Sequence, residues 1–249
     1  MDIAKELGVQ SFCFRGFKSH AEVIAKVKEC DLSKIELCRV HIDFGNEAIH
    51  DEVIEQYRKG GVQIVSTGVN GLGNHPEAEE KMFQFAHKAG CKFMSVDFGV
   101  DSVPDSYRTA ERLADKYDIN LAIHNHGGRH WLGCAAMLRS VFKKTSSRIG
   151  LCIDTAWALH SHEDPLKWVE EFAPRVYGVH FKDFTFERDG RHNDVVVGTG
   201  CLDLKGLLAK LKAVNFNGYA VLEYEADVNN PVPALSQCVK SVREAARNV

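Results

Sequence analysis

The chain has 249 residues, a formal net charge of −3 at pH 7 and a hydrophobic content of 45%. This length is typical of a single eightfold β/α barrel, which has about 250 residues. The small negative charge argues against a surface for nucleic acid or anionic membranes, and no apolar run approaches the roughly 20 residues that cross a bilayer.

Short apolar runs that favour β-strands recur along the whole chain. They cover residues 8–14, 34–38, 62–67, 92–98, 120–125, 149–154, 176–182 and 219–224. Helical patterns lie between most of them, as in residues 21–28, 79–90 and 204–214, and the second of these ends at Gly90, a residue favoured just after helices. Because strands that alternate with helices pair in parallel through right-handed crossovers, eight such units close into a barrel. We therefore predict an α/β fold, a (β/α)8 TIM barrel, with a single domain over residues 1–249.

The longest irregular stretch covers residues 184–201. Loops of this length in compact domains are often binding loops or lids, and a solvent-exposed hairpin is the alternative. The stretch contains Gly198-Thr199-Gly200, and TIM barrels do bind phosphate near this point of the chain. A lone Gly-x-Gly also forms an ordinary turn, so phosphate binding is only an alternative here.

Polar residues stand at the ends of four of the strand-like runs. The segments are Ile123-His124-Asn125-His126, Ile153-Asp154-Thr155, Val179-His180-Phe181-Lys182-Asp183 and Leu222-Glu223-Tyr224-Glu225. Side chains at the C-terminal ends of barrel strands converge on one mouth of the barrel. Since His, Asp and Glu bind divalent metals through nitrogen and oxygen, these segments predict a metal-dependent enzyme.

The alternation of side chains along a strand assigns each residue of the barrel wall to one face. In the seventh strand, the apolar residues Tyr177, Val179 and Phe181 are predicted to face the helices. His180 and Lys182 then point into the barrel.

The same alternation directs ligand-type side chains inward on four strands. They are His124, Asp154, His180 and Glu223. Alternation does not separate Glu223 from Glu225, which share a face. It likewise does not separate His124 from His126. Burying such groups without partners costs several kcal/mol each, and a metal or an aqueous pocket removes that cost.

Four segments of the chain carry a family resemblance. They are Ile-His-Asn-His-Gly-Gly at 123–128, Gly-Leu-Cys-Ile-Asp-Thr at 150–155, Val-His-Phe-Lys-Asp at 179–183 and Gly-Tyr-Ala-Val-Leu-Glu at 218–223. With them, nearly the whole chain resembles the sugar isomerase and epimerase superfamily with the xylose-isomerase-like barrel. In that family, Glu, Asp, His and Glu from strands five to eight hold a metal, which implies Asp154, His180 and Glu223 as ligands here.

Two positions depart from the pattern of that family. His124 stands where the ketose epimerases have glutamate, although related branches carry a histidine there. Those epimerases use two metal-bound glutamates on opposite faces of the substrate, and only Glu223 matches, which disfavours a simple two-glutamate epimerase. Trp157 stands where the family often has histidine, and we expect its ring to stack against a sugar.

The expected metal ligands are two imidazoles and two carboxylates, from His124, Asp154, His180 and Glu223. This set favours Mn²⁺, Zn²⁺, Co²⁺ or Fe²⁺ over calcium and magnesium. We expect a metal-dependent sugar isomerase or epimerase that removes a proton next to a carbonyl through a metal-stabilised enediolate, with Glu223, His124 or Lys182 as catalytic groups. The alternative is a metal-dependent lyase or dehydratase on a keto-sugar or cyclitol, which shares this intermediate.

Four further residues are predicted to contact the substrate. His126 and Trp157 follow the fifth and sixth strands. Arg15 ends the first predicted strand and is placed to clamp an anionic or hydroxylated substrate. Glu36 points inward from the second strand, where it can hydrogen-bond to the substrate.

Two other functional classes fit the sequence less well. An abasic-site endonuclease shares this barrel type but needs a multi-zinc site with more histidines and a basic DNA face. A metal-free sugar-binding barrel is the other alternative. We expect a small-molecule sugar or sugar derivative as the partner, neither nucleic acid nor membrane, and, from the resemblance, association into homo-oligomers.

The eight cysteines are scattered along the chain without a Cys-x-x-Cys pair. The first six residues are not typical of a secretory signal. We therefore expect free thiols and a cytoplasmic protein.

Overall fold

The computed structural model describes residues 1–249 and contains ten strands. They are β1 (Gly8–Gln10), β2 (Lys34–Leu37), β3 (Gln63–Leu72), β4 (Phe93–Phe98), β5 (Asn120–His124), β6 (Ile149–Asp154), β7 (Val176–Phe181), β8 (Asp183–Phe186), β9 (His192–Val195) and β10 (Tyr219–Leu222). Eight of them pair in parallel and close into a barrel in the order β1-β2-β3-β4-β5-β6-β7-β10, whereas β8 and β9 form a separate antiparallel hairpin. The predicted (β/α)8 barrel is therefore confirmed.

Ten α-helices precede, connect or follow the strands. They are α1 (Ile3–Glu6), α2 (His20–Glu29), α3 (His50–Lys59), α4 (Pro76–Lys88), α5 (Asp105–Tyr117), α6 (Ala135–Phe142), α7 (Thr155–His160), α8 (Pro165–Glu171), α9 (Leu204–Ala213) and α10 (Val232–Arg247). In α2, Ser19 and Glu22 form a capping box at the N-terminus, and Val23 and Val27, one turn apart, are fully buried. The three predicted helical patterns correspond to α2, α4 and α9. No helix is both long and apolar enough to cross a bilayer.

Three barrel strands end two or more residues away from their predicted ends. β1 stops at Gln10, because its side-chain oxygen accepts a hydrogen bond of 3.1 Å from Phe12 N–H and begins a 3₁₀ turn over Ser11–Phe14. β10 stops at Leu222, and β3 continues to Leu72. The apolar pattern alone does not predict the turn after β1, because Phe12, Cys13 and Phe14 are also apolar.

The predicted orientation of Tyr177 in the seventh strand is wrong. The pairing between β6 and β7 shifts in register after Leu151, so that Cys152 lies opposite Gly178. Such an irregularity re-aims a side chain. The Tyr177 ring packs against the apolar cluster inside the barrel instead of the helices, with its centroid 6.0 Å from that of Phe93.

The core consists of two apolar clusters. The larger has 61 buried residues from the strands and the surrounding helices. The smaller lies inside the barrel and consists of Ala122, Cys152, Tyr219 and Val221. All eight cysteines are free thiols, and six of them are buried. Toward the C-terminal ends of β5, β6, β7 and β10 the inward positions become polar, and this end of the interior holds the candidate site.

Residues 184–201 contain nearly all of the β8–β9 hairpin, followed by a turn. A hairpin was one of the two predicted alternatives, but this one is not wholly exposed to solvent, because Phe184 is buried. The carboxylate of Asp183 holds this turn through three backbone hydrogen bonds of 2.9 Å, from the N–H groups of Gly198, Gly200 and Leu202. The Gly198 and Gly200 amides therefore already have an acceptor. A phosphate loop at this position is not supported.

Candidate metal centre

Four ligand-type side chains meet at the C-terminal end of the barrel interior. They are His124, Asp154, His180 and Glu223, and one ligand atom of each lies within 4.8 Å of the others. They stand at the ends of neighbouring strands, and strand register brings them level, because Asp154 lies opposite His180. All four residues are at most 8% exposed. The convergence predicted from side-chain alternation is confirmed.

The contacts inside this cluster are short. His180 Nδ1 lies 2.6 Å from Glu223 Oε2 and 3.1 Å from His124 Nε2. His124 Nε2 lies 3.6 Å from Asp154 Oδ2 and 3.6 Å from Glu223 Oε2. Two nitrogen and two oxygen atoms therefore face one point, which is a donor set that zinc, manganese and similar divalent ions accept.

The carboxylate of Asp154 tests whether this cluster fits a cation. Its Oδ1 accepts the Trp157 N–H at 2.8 Å and thereby caps α7. Its Oδ2 is buried and has no hydrogen-bond partner in the protein. A buried carboxylate oxygen without a donor is costly, and a divalent cation in the cluster would remove that cost. The four residues therefore fit a divalent metal ion.

Two polar residues next to the ligands hold the strand ends together. Asn125 Oδ1 accepts the Asp154 N–H at 2.8 Å, and Asn125 Nδ2 donates to the Asp154 carbonyl at 3.0 Å. Thr155 Oγ1 accepts the Lys182 N–H at 3.0 Å and donates to the His180 carbonyl at 3.2 Å. These bonds extend the pairing of β5, β6 and β7 beyond the strands. These roles were not predicted, and the only signal for them in the sequence is that each residue directly follows a ligand position.

Neighbouring charges shift the pKa values of Glu223 and His180 in the cluster. Burial raises the pKa of Glu223, but the positive charges of Lys182 and His180 outweigh burial and leave this pKa well below its usual value. Burial lowers the pKa of His180, but the nearby Cys152 and Glu36 groups more than offset burial and leave this pKa well above its usual value. In the protein alone, the positive charges of His180 and Lys182 therefore compensate the negative charge of Glu223.

A cavity of about 360 Å³ opens beside the cluster, and His124 and Glu223 are among its lining residues. The predicted substrate contacts His126 and Trp157 also line it. Burial and the neighbouring His124 and His130 lower the pKa of His126 to about 4. The His126 ring is therefore neutral at pH 7 and offers a hydrogen bond without charge.

The β8–β9 hairpin supports Trp157 in the cavity wall. The Trp157 ring lies edge-on to Phe184 and to His192, with centroid distances of 5.0 Å in both pairs. Phe184 and His192 stack on each other at 4.2 Å. Aromatic packing of this kind fixes the ring against which a sugar is predicted to stack.

Lys182 is buried behind the cavity wall. Its ammonium pairs with Glu225 and lies 5.3 Å from the centroid of the Trp157 ring. Burial lowers the pKa of Lys182, but Glu223 and other nearby carboxylates outweigh burial, so this pKa lies above its usual value. Glu225, and not Lys182, lines the cavity. Side-chain alternation could not tell Glu223 from Glu225. The structure does, because Glu225 pairs with Lys182 and only Glu223 belongs to the cluster.

Two predicted substrate contacts do not line the cavity. Arg15 follows the 3₁₀ turn instead of ending a strand, and its guanidinium donates to the backbone carbonyls of Phe12 and Glu225. Glu36 is fully buried inside the barrel. Arg39 does line the cavity and was missed, because it lies beyond the end of β2, where strand alternation no longer applies.

Asp194, on the hairpin beside Lys182, should make stability depend on pH. Burial raises the pKa of Asp194 to about 7, even though Lys182 opposes this, and Asp194 Oδ1 is buried without a hydrogen-bond partner. The folded protein therefore keeps this proton up to about pH 7, whereas an unfolded chain loses it near the ordinary pKa of 3.8. Because the folded state binds more protons in this window, this group makes stability fall as pH rises through it.

The Asp194→Asn variant removes this titration. Relative to the wild type, the free energy of unfolding of this variant should increase as pH rises through that window, because only the wild type loses stability there. Urea unfolding in the presence of a chelator measures this difference. Asp189, on the same hairpin, is the control, because a hydrogen bond from the Arg191 backbone lowers its pKa below 3.8. Asp189→Asn should lose stability relative to the wild type only as pH rises up to about 3.8, with no further change between pH 3.8 and 7. A difference between Asp194→Asn and wild type that does not change with pH would contradict the prediction.

Comparison with known proteins agrees with the fold. The family model described as xylose isomerase-like TIM barrel matches residues 1–245. An inosose dehydratase from Geobacillus kaustophilus (strain HTA426) is 26% identical over 141 residues, which cover 51% of this chain and 46% of that protein. The match thus spans less than half the length of this relative.

Solved structures align over nearly the whole chain. The 3-keto-D-glucoside 4-epimerase YcjR from E. coli has a TM-score of 0.73 and 18% identity, over 96% of this chain and 99% of that chain. The IOLI protein, whose structure contains a bound zinc atom, has a TM-score of 0.77 and 14% identity, over 98% of each chain. At these identities the likeness shows a shared barrel fold.

Proposed function

Because the chain belongs to the xylose isomerase-like TIM-barrel family, we propose that it is a metal-dependent dehydratase acting on a keto-cyclitol or keto-sugar. The observation that carries this proposal is the cluster of His124, Asp154, His180 and Glu223, which borders a cavity of about 360 Å³. Cavities of about 300–1,000 Å³ hold small ligands. The similarity to inosose dehydratase supports a polyhydroxylated cyclic ketone as the substrate class.

Asp154, His180 and Glu223 would hold the cation, and His124 Nε2, which faces them, would be left to carry a proton. A divalent cation there would supply Lewis-acid polarisation of the substrate carbonyl, a contribution of several kcal/mol. The zinc atom of the IOLI structure supports zinc, and the donor set also admits manganese, cobalt or iron(II). The buried ammonium of Lys182 adds a fixed positive charge behind the cavity, which favours negative charge developing on the substrate oxygen.

Glu223 and His124 form the proposed acid–base pair. Glu223 Oε2 and His124 Nε2 lie 3.6 Å apart, and both residues line the cavity. Glu223 takes the proton from the carbon next to the carbonyl, and His124 delivers a proton to the hydroxyl group that leaves from the next carbon. One C–H bond and one C–O bond break, a C=C bond forms beside the carbonyl, and water leaves.

The same pair of residues makes a sugar isomerase the second candidate. A proton held by Glu223 or His124 can return to the neighbouring carbon instead of the leaving hydroxyl. Epimerisation by two opposed glutamates is less consistent with the site, since position 124 carries histidine.

Product analysis in deuterated water tests the proposal. Protein loaded with zinc or manganese is incubated with inosose and with a keto-hexose, and the products are identified by mass spectrometry and NMR. We expect loss of water and a new C=C bond beside the carbonyl. Deuterium in an isomeric sugar without loss of water would instead identify the isomerase. Unchanged substrates, with the Geobacillus kaustophilus inosose dehydratase active in the same assay, would refute both candidates.

Glu223→Gln should reduce turnover far more than Glu225→Gln, although the two residues share a face of the same segment. Loss of a positioned base costs about 10²–10⁴ in rate, and the amide also removes a charged ligand. Glu225 pairs with Lys182 outside the cluster, so Glu225→Gln should keep its metal. The measurements are kcat and metal content for both variants. Equal losses in the two would mean that the roles of these glutamates are wrongly assigned.

A further inference from the structure

Glu36 lies inside the barrel against His180, on the side of the ring that faces away from the cluster. We propose that Glu36 is a positioning residue, which holds the His180 imidazole in the orientation and tautomer that present Nδ1 to a cation. The inference rests on the proposed metal site, and it assigns to Glu36 a different task from the substrate contact expected from the sequence.

The two carboxylate oxygens of Glu36 contact different parts of the barrel. Oε2 accepts the His180 Nε2–H at 2.5 Å. Oε1 accepts three hydroxyl hydrogen bonds, from Ser66 at 3.0 Å, Ser95 at 2.5 Å and Tyr219 at 3.3 Å. Glu36 is 0% exposed, so no substrate reaches it. Residues of β3, β4 and β10 thus fix one oxygen, and the other is left for His180.

This contact decides which His180 nitrogen faces the cluster. A neutral imidazole has one N–H donor and one nitrogen lone pair. With Nε2–H donated to Glu36, the second proton of the ring lies on Nδ1 and is donated to Glu223 Oε2 at 2.6 Å. A cation in the cluster would replace this proton, and the Nδ1 lone pair would then face it. A carboxylate behind a ligating imidazole orients the ring and raises its basicity.

His124 has no equivalent support. Its Nε2 faces the same cluster, but its Nδ1 is buried and has no hydrogen-bond partner. The two imidazoles therefore differ in a way that their residue type does not show. Glu36 holds the His180 ring through Nε2, whereas no hydrogen bond holds the Nδ1 of His124.

Calorimetric zinc titration of the Glu36→Gln variant tests this role. The amide keeps the volume and removes the negative charge, and we expect zinc affinity to fall by about 10–100-fold. Ser66→Ala is the matched control, because it removes a donor to Oε1 and leaves the Oε2 contact with His180. Its zinc affinity should stay close to that of the wild type. A folded Glu36→Gln protein with wild-type zinc affinity would overturn the inference.

A second measurement does not depend on whether Glu36→Gln folds. Nitrogen NMR of the zinc-loaded wild type should show the His180 ring protonated at Nε2, and a proton on Nδ1 instead would overturn the inference. A wild type that does not bind zinc refutes the proposed metal site itself. A wild type that binds zinc normally but turns over no keto-substrate refutes only the proposed reaction, and the Glu36 comparison still decides the positioning role.

Discussion

Asp154→Asn is expected to abolish tight metal binding while leaving the fold intact. The asparagine oxygen can still accept the Trp157 N–H, so the N-cap of α7 is kept. What disappears is the charged Oδ2, which faces His124 Nε2 at 3.6 Å and has no hydrogen-bond partner. An amide NH₂ in its place has no lone pair to offer a cation.

The expected effect of Asp154→Asn on affinity and rate is large. Changing a group behind a ligand costs about 10–100-fold in metal affinity, so loss of a ligand should cost about 100-fold or more. A Lewis-acid contribution of about 4 kcal/mol corresponds to about 10³-fold in rate, so kcat/KM should fall by about that factor. Calorimetric titration and metal analysis measure the first effect, and turnover of the keto-substrate measures the second.

Asp164→Asn provides the control for capping. Asp164 Oδ1 accepts the Leu166 N–H at 2.9 Å and caps α8 in the same way, but it is not part of the cluster. This variant should match Asp154→Asn in stability and retain the metal. If Asp154→Asn binds zinc as tightly as the wild type, the proposed centre is wrong.

Lys182→Met is expected to destabilise the protein by about 3–5 kcal/mol, because removal of one partner leaves buried charges uncompensated. The Lys182 side chain is 1% exposed, pairs with Glu225 and lies 3.9 Å from Asp194 Oδ2. Methionine keeps much of the apolar stem and removes only the cation. Glu223 also loses the charge that chiefly holds its pKa below the usual value.

Lys210→Met is the matched control for Lys182→Met. Lys210 pairs with Glu170 at the surface, where the two side chains are 42% and 52% exposed. An exposed pair contributes about 0–1 kcal/mol, so this variant should unfold at nearly the wild-type urea concentration. Urea unfolding at constant pH with a chelator compares the two, and Glu225→Gln added to Lys182→Met should restore part of the loss. Equal small losses in both lysine variants would contradict the electrostatic role of Lys182.

The barrel could be predicted because each strand is a short apolar run and helices separate the runs. The strand ends were harder to predict. β1 ends at Gln10 through a hydrogen bond with Phe12 N–H, although the following residues are as apolar as the strand. Tyr177 was assigned to the wrong face because the register shift after Leu151 arises from pairing with another strand.

Side-chain alternation left two pairs of candidate ligands, Glu223 or Glu225 and His124 or His126. Distances between side chains of different strands then showed which member of each pair belongs to the cluster. Glu223 lies 2.6 Å from His180, whereas Glu225 pairs with Lys182. His124 lies in the cluster, whereas the neutral His126 lines the cavity. Each pair shares one face of its strand, so the sequence pattern was identical for both members.

From its sequence alone, this protein could be assigned a barrel of eight parallel strands and four inward ligand-type residues, because side-chain alternation follows from the backbone geometry of a single strand. Only the tertiary structure decided how those residues are supported. Glu36 and His180 are 144 positions apart and meet inside the barrel. That contact depends on strand register and barrel closure, which are set by all the strands together and not by any one segment.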